Sequence, residues 1–177
     1  MRRVMDEGDI NRVVRRIANE IIERNHGVDN VLLLGIPTRG KPLAERICAV
    51  LCEIEGVTMT AGSLDIGMYR DDIDTRPRTR LGPTDIPRPI DGADVVLVDD
   101  VLYTGRTIRA ALDALADLGR PATVQLAVII DRGHRQLPIR PDYVGRNIPT
   151  SVSEHVSVRI VPTDDEDGVW VSSEVLA

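Results

Sequence analysis

Asp99 and Asp100 close an apolar run, Val95-Val96-Leu97-Val98, and lead through Val101 and Leu102 into Tyr103-Thr104-Gly105-Arg106-Thr107. These residue types at this spacing suit a sugar phosphate. Paired carboxylates accept hydrogen bonds, and neighbouring sugar hydroxyls donate them. Threonine hydroxyls, beside a glycine that lets the backbone come close, suit a phosphate monoester. The residues after Thr107 carry helical spacing, so the turn opens a helix and offers free backbone N–H groups at the positive end of its dipole. A buried strand, a turn and an amphipathic helix would account for each part separately. They do not account for the full order of strand, acid pair, two apolar residues, x-T-G-x-T and helix.

Two further stretches carry the same logic. Pro37-Thr38-Arg39-Gly40-Lys41 follows the apolar run 31–36 and supplies a hydroxyl, a guanidinium and room for an anion. Asp131-Arg132-Gly133-His134-Arg135 follows another apolar run, 123–130. Between them, residues 70–89 hold five arginines and four prolines without periodicity, which reads as a functional, flexible loop able to close over the site. A nucleoside-triphosphate P-loop is excluded, because Pro42 stands where its hydroxyl residue belongs, and no G-x-G-x-x-G dinucleotide fingerprint is present. Three anion-suited loops with an arginine-rich cover suit a substrate with phosphate at both ends of a sugar.

The positioning elements follow from pattern and composition. With 177 residues, 42% hydrophobic content and no Phe, the expectation is one domain whose core is built from Val, Ile, Leu and Ala. An aromatic content of 2% argues against a platform of stacked rings for single-stranded nucleic acid. Net charge is −6, yet 22 residues are Lys or Arg and Lys41 is the only lysine, so the cations are of the type that binds phosphate bidentately. No run reaches membrane-spanning length and no signal-peptide pattern opens the chain, so a cytoplasmic location is expected. Cys48 and Cys52 read as small core residues on one helix face. Helices are predicted near 10–25, capped by Asp9, near 42–55, and from Thr107 to the glycine at 119. Strands are predicted at 31–36, within 58–69, at 95–98 and 123–130, briefly within 137–151, at 154–161 and at 169–175. Strands alternating with helices predict an α/β domain, a mainly parallel central sheet flanked by helices.

The stretch VVLVDDVLYTGRT resembles the 5-phosphoribosyl 1-diphosphate (PRPP) signature of type I phosphoribosyltransferases. That resemblance implies a small hood over the sheet and a flexible loop. It implies that Asp99 and Asp100 hold the ribose hydroxyls and that the turn from Val101 and Leu102 through Tyr103, Thr104, Gly105, Arg106 and Thr107 holds the 5′-phosphate. Thr38, Arg39 and Gly40 would hold pyrophosphate, and a loop arginine such as Arg80 would assist Arg39. Mg²⁺ would be bound through PRPP near Asp99 and Asp100, with no direct protein ligand. Purine-using relatives carry Asp where Tyr103 stands, which turns the expectation toward a pyrimidine.

The stretches RRIANEIIERN, YRDD and DRGHRQLPIRPDYVGRNIPTS are similar to one subfamily, the bifunctional pyrimidine operon regulators with uracil phosphoribosyltransferase activity. The resemblance implies conversion of uracil and PRPP to UMP and pyrophosphate, with Arg132 and Val156 at the uracil pocket. It also implies binding of a pyrimidine operon mRNA leader, for which Arg15, Arg16, Asn19, His134, Arg135, Arg140 and Arg146 are the candidate face. A homodimer or larger homo-oligomer is implied by the resemblance alone. The rival readings are an RNA-binding regulator using the nucleotide site mainly as a sensor, and a PRPP sensor without catalysis.

Overall fold

The computed structural model describes residues 1–71 and 84–173. In chain order the elements are β1 (Arg2–Met5), α1 (Glu7–Asn25), β2 (Val31–Gly35), α2 (Gly40–Glu55), β3 (Gly62–Ser63), a short 3₁₀ turn (Gly67–Tyr69), β4 (Asp94–Leu102), α3 (Arg106–Leu118), β5 (Thr123–Asp131), β6 (Tyr143–Asn147), β7 (His155–Arg159) and β8 (Gly168–Ser172). Five parallel strands form the main sheet in the order β3-β2-β4-β5-β6, and β1-β8-β7 form a second, antiparallel sheet that occupies the place of a hood.

The central strands are apolar on both faces. Val31, Leu33, Val96 and Val98 pack toward α1 and α2, whereas Leu32, Leu34, Val95 and Leu97 pack toward α3. That is the period-two division of a strand covered by helices on either side. Met5, Val158 and Val169 of the smaller sheet, with Ile160 just past β7, share the α1/α2 core, so the two sheets are joined by apolar packing.

Several elements differ from the sequence expectation for identifiable reasons. Helix α1 starts a turn earlier than Asp9. Asp6 is its cap: the Asp6 carboxylate accepts the Asp9 N–H at 2.8 Å and the Asp9 carboxylate accepts the Asp6 N–H at 3.1 Å, a reciprocal capping box. The alternation over 58–69 produces only the two paired residues of β3, because pairing to β2 is confined to Leu34↔Gly62 and Gly35↔Ser63. Strand β4 runs on past the apolar run and takes in both acids, since its ladder to β5 continues from Asp99↔Val128 to Leu102↔Asp131. Strand β1 lies outside the sequence expectation altogether. The Cys48 and Cys52 thiols both point at the Met59 carbonyl, and burial, with Cys52 alongside, pushes the Cys48 thiol up to about 12, in keeping with a packing residue.

Candidate active site

The main sheet reverses its winding between β2 and β4: β2 leads to β3 on one side and β4 to β5 on the other. The crevice beyond the C-terminal ends of those two strands is where an open α/β sheet takes its ligand. One wall is the loop 36–39. Its Ile36 N–H donates to the Val98 carbonyl at 2.9 Å. Gly35 lies against the backbone of Gly40 and Lys41, and Gly40 lies against the Val98 carbonyl, so closely that a Cβ at either position would overlap backbone. Thr38 is exposed at the tip, and Arg39 is the N-terminal cap residue of α2.

The acids form the floor. Asp99 is 7% exposed, and its Oδ1 accepts the Asp100 N–H at 2.9 Å. Asp100 Oδ1 in turn accepts the Val101 N–H at 2.9 Å. Burial, reinforced by the Asp100 charge, makes Asp99 hold its proton well above the usual carboxylate range. Burial also raises Asp100, while the Asp99 contact and the Arg39 guanidinium oppose the rise. The two titrate as a unit. Each spends one oxygen on backbone, and hydroxyl donors or a cation at the others would relieve the burial of charge.

The second wall is the turn 103–105, which with Arg70, Asp71 and Asp99 encloses a cavity of about 340 Å³. Gly105 adopts φ 93°, a left-handed conformation that side chains rarely accept, and a Cβ added there would lie 3.4 Å from the Ile139 side chain. The turn is braced from behind: the Thr104 carbonyl accepts the Gln136 and Leu137 N–H groups, and the Tyr103 carbonyl accepts from Arg135 Nη1 at 2.8 Å. Thr104 Oγ1 accepts the Arg106 N–H at 3.4 Å. The cap residue of α3 is Gly105, which has no side chain to offer, so beyond Arg106 the N–H groups of the first turn are presented toward this cavity, which Thr107 and Ile108 line. Arg106 reaches from the helix start to Asp71 at 2.5 Å and to Gln136 at 3.0 Å.

Beside the turn, the Arg132 guanidinium stacks 4.1 Å from the Tyr103 ring centroid, and His134 meets that ring edge-on at 6.0 Å. Arg132 is 6% exposed; its Nη2 donates to the carbonyls of Glu154 at 2.7 Å and Ser151 at 3.2 Å, while its buried Nε has no partner among the described residues. Those carbonyls immediately precede β7, which carries half-buried Val156. Arg132 thus joins the end of β5 to the smaller sheet rather than pairing with a carboxylate. A second cavity, of about 300 Å³, lies at the opposite end of β2 against Leu32, Thr58 and Arg88, and gathers none of these motifs.

A family model described as phosphoribosyl transferase domain matches residues 3–163. Proteins named bifunctional protein PyrR are 57% identical in Chloroflexus aurantiacus, over 96% of this chain and 94% of that one, and 56% identical in Streptomyces coelicolor, over 99% and 92%. The chain belongs to the PyrR family of phosphoribosyl transferases. Among solved structures, the hypoxanthine phosphoribosyltransferase of Trypanosoma cruzi superimposes with a TM-score of 0.72 at 20% identity, covering 97% of this chain and 95% of that one. The Staphylococcus aureus hypoxanthine enzyme gives 0.63 at 18%, covering 88% and 80%. At those identities the likeness is one of fold: this PyrR-family chain has the type I phosphoribosyltransferase architecture.

The structure brings Thr38, Arg39, Gly40, Asp99, Asp100 and the turn 101–107 of this PyrR-family member to one crevice, with Arg132 beside them. Arg80 lies outside the described residues, as does most of the arginine-rich loop. The proposed RNA face divides in two. Arg15 pairs with Glu53 of α2 and Asn19 donates to the Arg15 carbonyl of its own helix, whereas Arg16 pairs with Glu20 and donates to the Val144 and Gly145 carbonyls, and Arg146 donates to the Val4 carbonyl and reaches Asp9 at 3.7 Å; Arg16 and Arg146 mark the seam of α1 with β6. His134 and Arg140 are exposed in the loop after β5, nearer the phosphate turn. Arg135 departs from expectation. Its guanidinium is turned inward onto Asp131 at 2.6 Å, the Ile139 carbonyl and the Tyr103 carbonyl, which makes it a brace of the turn. Asp71 and Asp164, which hold Arg106 and Arg39, were not singled out from the sequence. The acid density at residues 164–167 was the one signal available for Asp164.

Proposed function

We propose that this PyrR-family chain transfers the phosphoribosyl group of PRPP to uracil, releasing UMP and pyrophosphate, and that it also binds a pyrimidine-gene mRNA leader in a nucleotide-dependent way. The observation that carries the first part is the pair of buried Asp99 and half-buried Asp100 set between two anion-suited loops at the β2/β4 switch point. In this reading the ribose hydroxyls donate to the two carboxylates. Thr104, Thr107 and the N–H groups opening α3 take the 5′-phosphate. Thr38, Arg39 and Gly40 take the diphosphate, assisted by Arg80. Uracil N1 bonds to ribose C1 as the C1–oxygen bond breaks, the electron pair departs on pyrophosphate, and the N1 proton is released. The carboxylates lie where C1 becomes electron-poor, and Arg39 neutralises charge building on the leaving group.

Mg²⁺ belongs to the same proposal. No cluster of three or more metal-ligating side chains occurs among the described residues, whereas two adjacent carboxylates, one buried and one half-buried, fit a cation held mainly by substrate oxygens. Held near Asp99 and Asp100, it would neutralise diphosphate charge. Arg132, Tyr103 and Val156 frame the uracil side, and Arg132 Nε, without a partner among the described residues, is a donor for a polar planar ring. Incubation with PRPP, Mg²⁺ and uracil is expected to yield UMP, with hypoxanthine and orotate turned over at least about a hundredfold less well. Equal turnover of hypoxanthine would refute the base assignment.

For RNA, the exposed cations Arg15 and Arg140 are the cleanest probes, because neither donates to a backbone carbonyl among the described residues. Each alanine variant is expected to weaken UMP-dependent leader binding several-fold at low salt and to flatten the salt dependence by about one unit of log–log slope, with unchanged melting. An affinity equal to the parent's in both variants would move the face elsewhere. Cytoplasmic location and a homo-oligomeric state are part of the same proposal.

A further inference from the structure

Arg39, the guanidinium at the diphosphate end of the crevice, already holds an anion. Its Nε donates to Asp164 Oδ2 and its Nη2 to Asp164 Oδ1, both at 2.8 Å. Asp164 is not a loose surface acid. It stands in the acidic turn between β7 and β8, its N–H donates to the Ile160 carbonyl at 2.9 Å, and its Oδ2 accepts the Ile160 N–H at 2.8 Å. Its side chain is 17% exposed against 35% for Arg39. The hydrogen bonds between them raise Arg39 and lower Asp164 from their ordinary values, and Asp100 adds a second, weaker pull on Arg39. The backbone that carries Arg39 has no room to retreat, because Gly35 and Gly40 are packed against neighbouring backbone. The change open to Arg39 is therefore a rotation of its side chain between anionic partners.

We propose that Asp164 is a positioning residue that parks Arg39 between turnovers and competes with the leaving diphosphate for it. This rests on the PRPP site assigned above. A carboxylate and a phosphate edge offer a guanidinium the same planar two-point partner. An arriving diphosphate, with its higher charge, takes the fork from Asp164. Pyrophosphate freed by bond cleavage carries still more charge, and Asp164, competing with it for the fork, lowers the cost of product leaving. Parking also keeps Arg39 from settling on Asp100, which must stay open to ribose hydroxyls. Sequence distance hides the relation: the two residues lie 125 positions apart and in different sheets' loops.

Calorimetric titration of magnesium pyrophosphate into the full-length protein tests this. Asp164→Ala is expected to bind pyrophosphate about fivefold more tightly than the parent, the scale of one partly exposed ion pair. Arg39→Ala is expected to bind it more weakly, and the double variant is expected to match Arg39→Ala, because the gain acts only through Arg39. In steady state, Asp164→Ala should show a lower KM for PRPP, a lower kcat and stronger inhibition by pyrophosphate, and Asp164→Glu should return toward the parent. A purely structural role would not tighten product binding. Asp164→Asn, which keeps an oxygen for the Ile160 N–H, is the second variant and should move the same way. Pyrophosphate binding by folded Asp164→Ala or Asp164→Asn that is no tighter than the parent's would overturn the proposal alone. Indistinguishable binding by the parent and Arg39→Ala would overturn the diphosphate site itself, and the proposal with it.

Discussion

Asp99→Asn is expected to cost about two orders of magnitude in kcat/KM while making the protein harder to melt at neutral pH. The loss follows from replacing a charged acceptor for a ribose hydroxyl by a neutral one, since hydrogen bonds to charged groups contribute roughly 1.5–3 kcal/mol. The gain follows from burial. Asp99 holds its proton more tightly in the folded chain than in the unfolded one, chiefly through desolvation. A carboxyl raised in this way supports folding fully below its unfolded value, and that support is lost as pH rises through the folded value. Asparagine does not titrate, so it keeps the support that the parent loses over that rise. Melting curves across pH 4 to pH 8 should show the variant's advantage widening as pH rises. At neutral pH it should reach a few degrees, since 1 kcal/mol corresponds to about 2–4 °C in a chain of this size. Asp100→Asn should show a smaller advantage, because Arg39 already offsets part of the Asp100 penalty. A variant that is less stable than the parent at pH 8 would show that Asp99 is held by interactions stronger than its desolvation.

Gly40→Ala is expected to be nearly as damaging, although it removes no functional group. Alanine is the better helix former, and Gly40 opens α2, so propensity alone would favour the change by roughly 1 kcal/mol. The new Cβ, however, would fall on the Val98 carbonyl and close to the Asp99 Cα, both in the central strand of the sheet. A strand paired on both sides cannot yield, so the loop 36–39 must lift. Overpacking of this kind costs about 1–3 kcal/mol or more. Lifting the loop also moves Arg39 relative to the acids, and a shift of ~1 Å at a reacting centre can cost a hundredfold in rate. Thermal melting together with kcat/KM for PRPP reads both effects. A Gly40→Ala protein of parental activity would mean that the crevice tolerates a displaced wall.

Much of this site was legible in the sequence because its residues are local. Asp99, Asp100, Thr104, Gly105 and Thr107 lie within nine positions of one another, and the strand before and helix after them carry strong periodicity. The loop with Thr38, Arg39 and Gly40 was legible for the same reason. What was not legible depends on distant partners. Strand β1 is four residues long and exposes Arg2 and Arg3, so nothing in its composition announces a strand until β8 pairs with it. Arg135 looks in sequence like its neighbours in Asp131-Arg132-Gly133-His134-Arg135. It turns inward only because Gly133 and His134 both take positive φ, at 78° and 61°, and fold the loop back on Asp131. Asp164 carries no mark beyond membership of an acidic turn.

Arg16 gives the α1–β6 seam a second meaning. Strand β6 is the last of the main sheet, and the Arg16 guanidinium takes up the carbonyls of Val144 and Gly145 there, with Glu20 tethering its far nitrogen. An outermost strand with free acceptors is a template on which another chain can add its own strand and begin a fibre. In this protein a cation sits on that template. Arg16 belongs to the RNA face proposed above, so an Arg16 variant made to test that face also uncovers the edge of the sheet, and its RNA affinity is to be read beside its state of association.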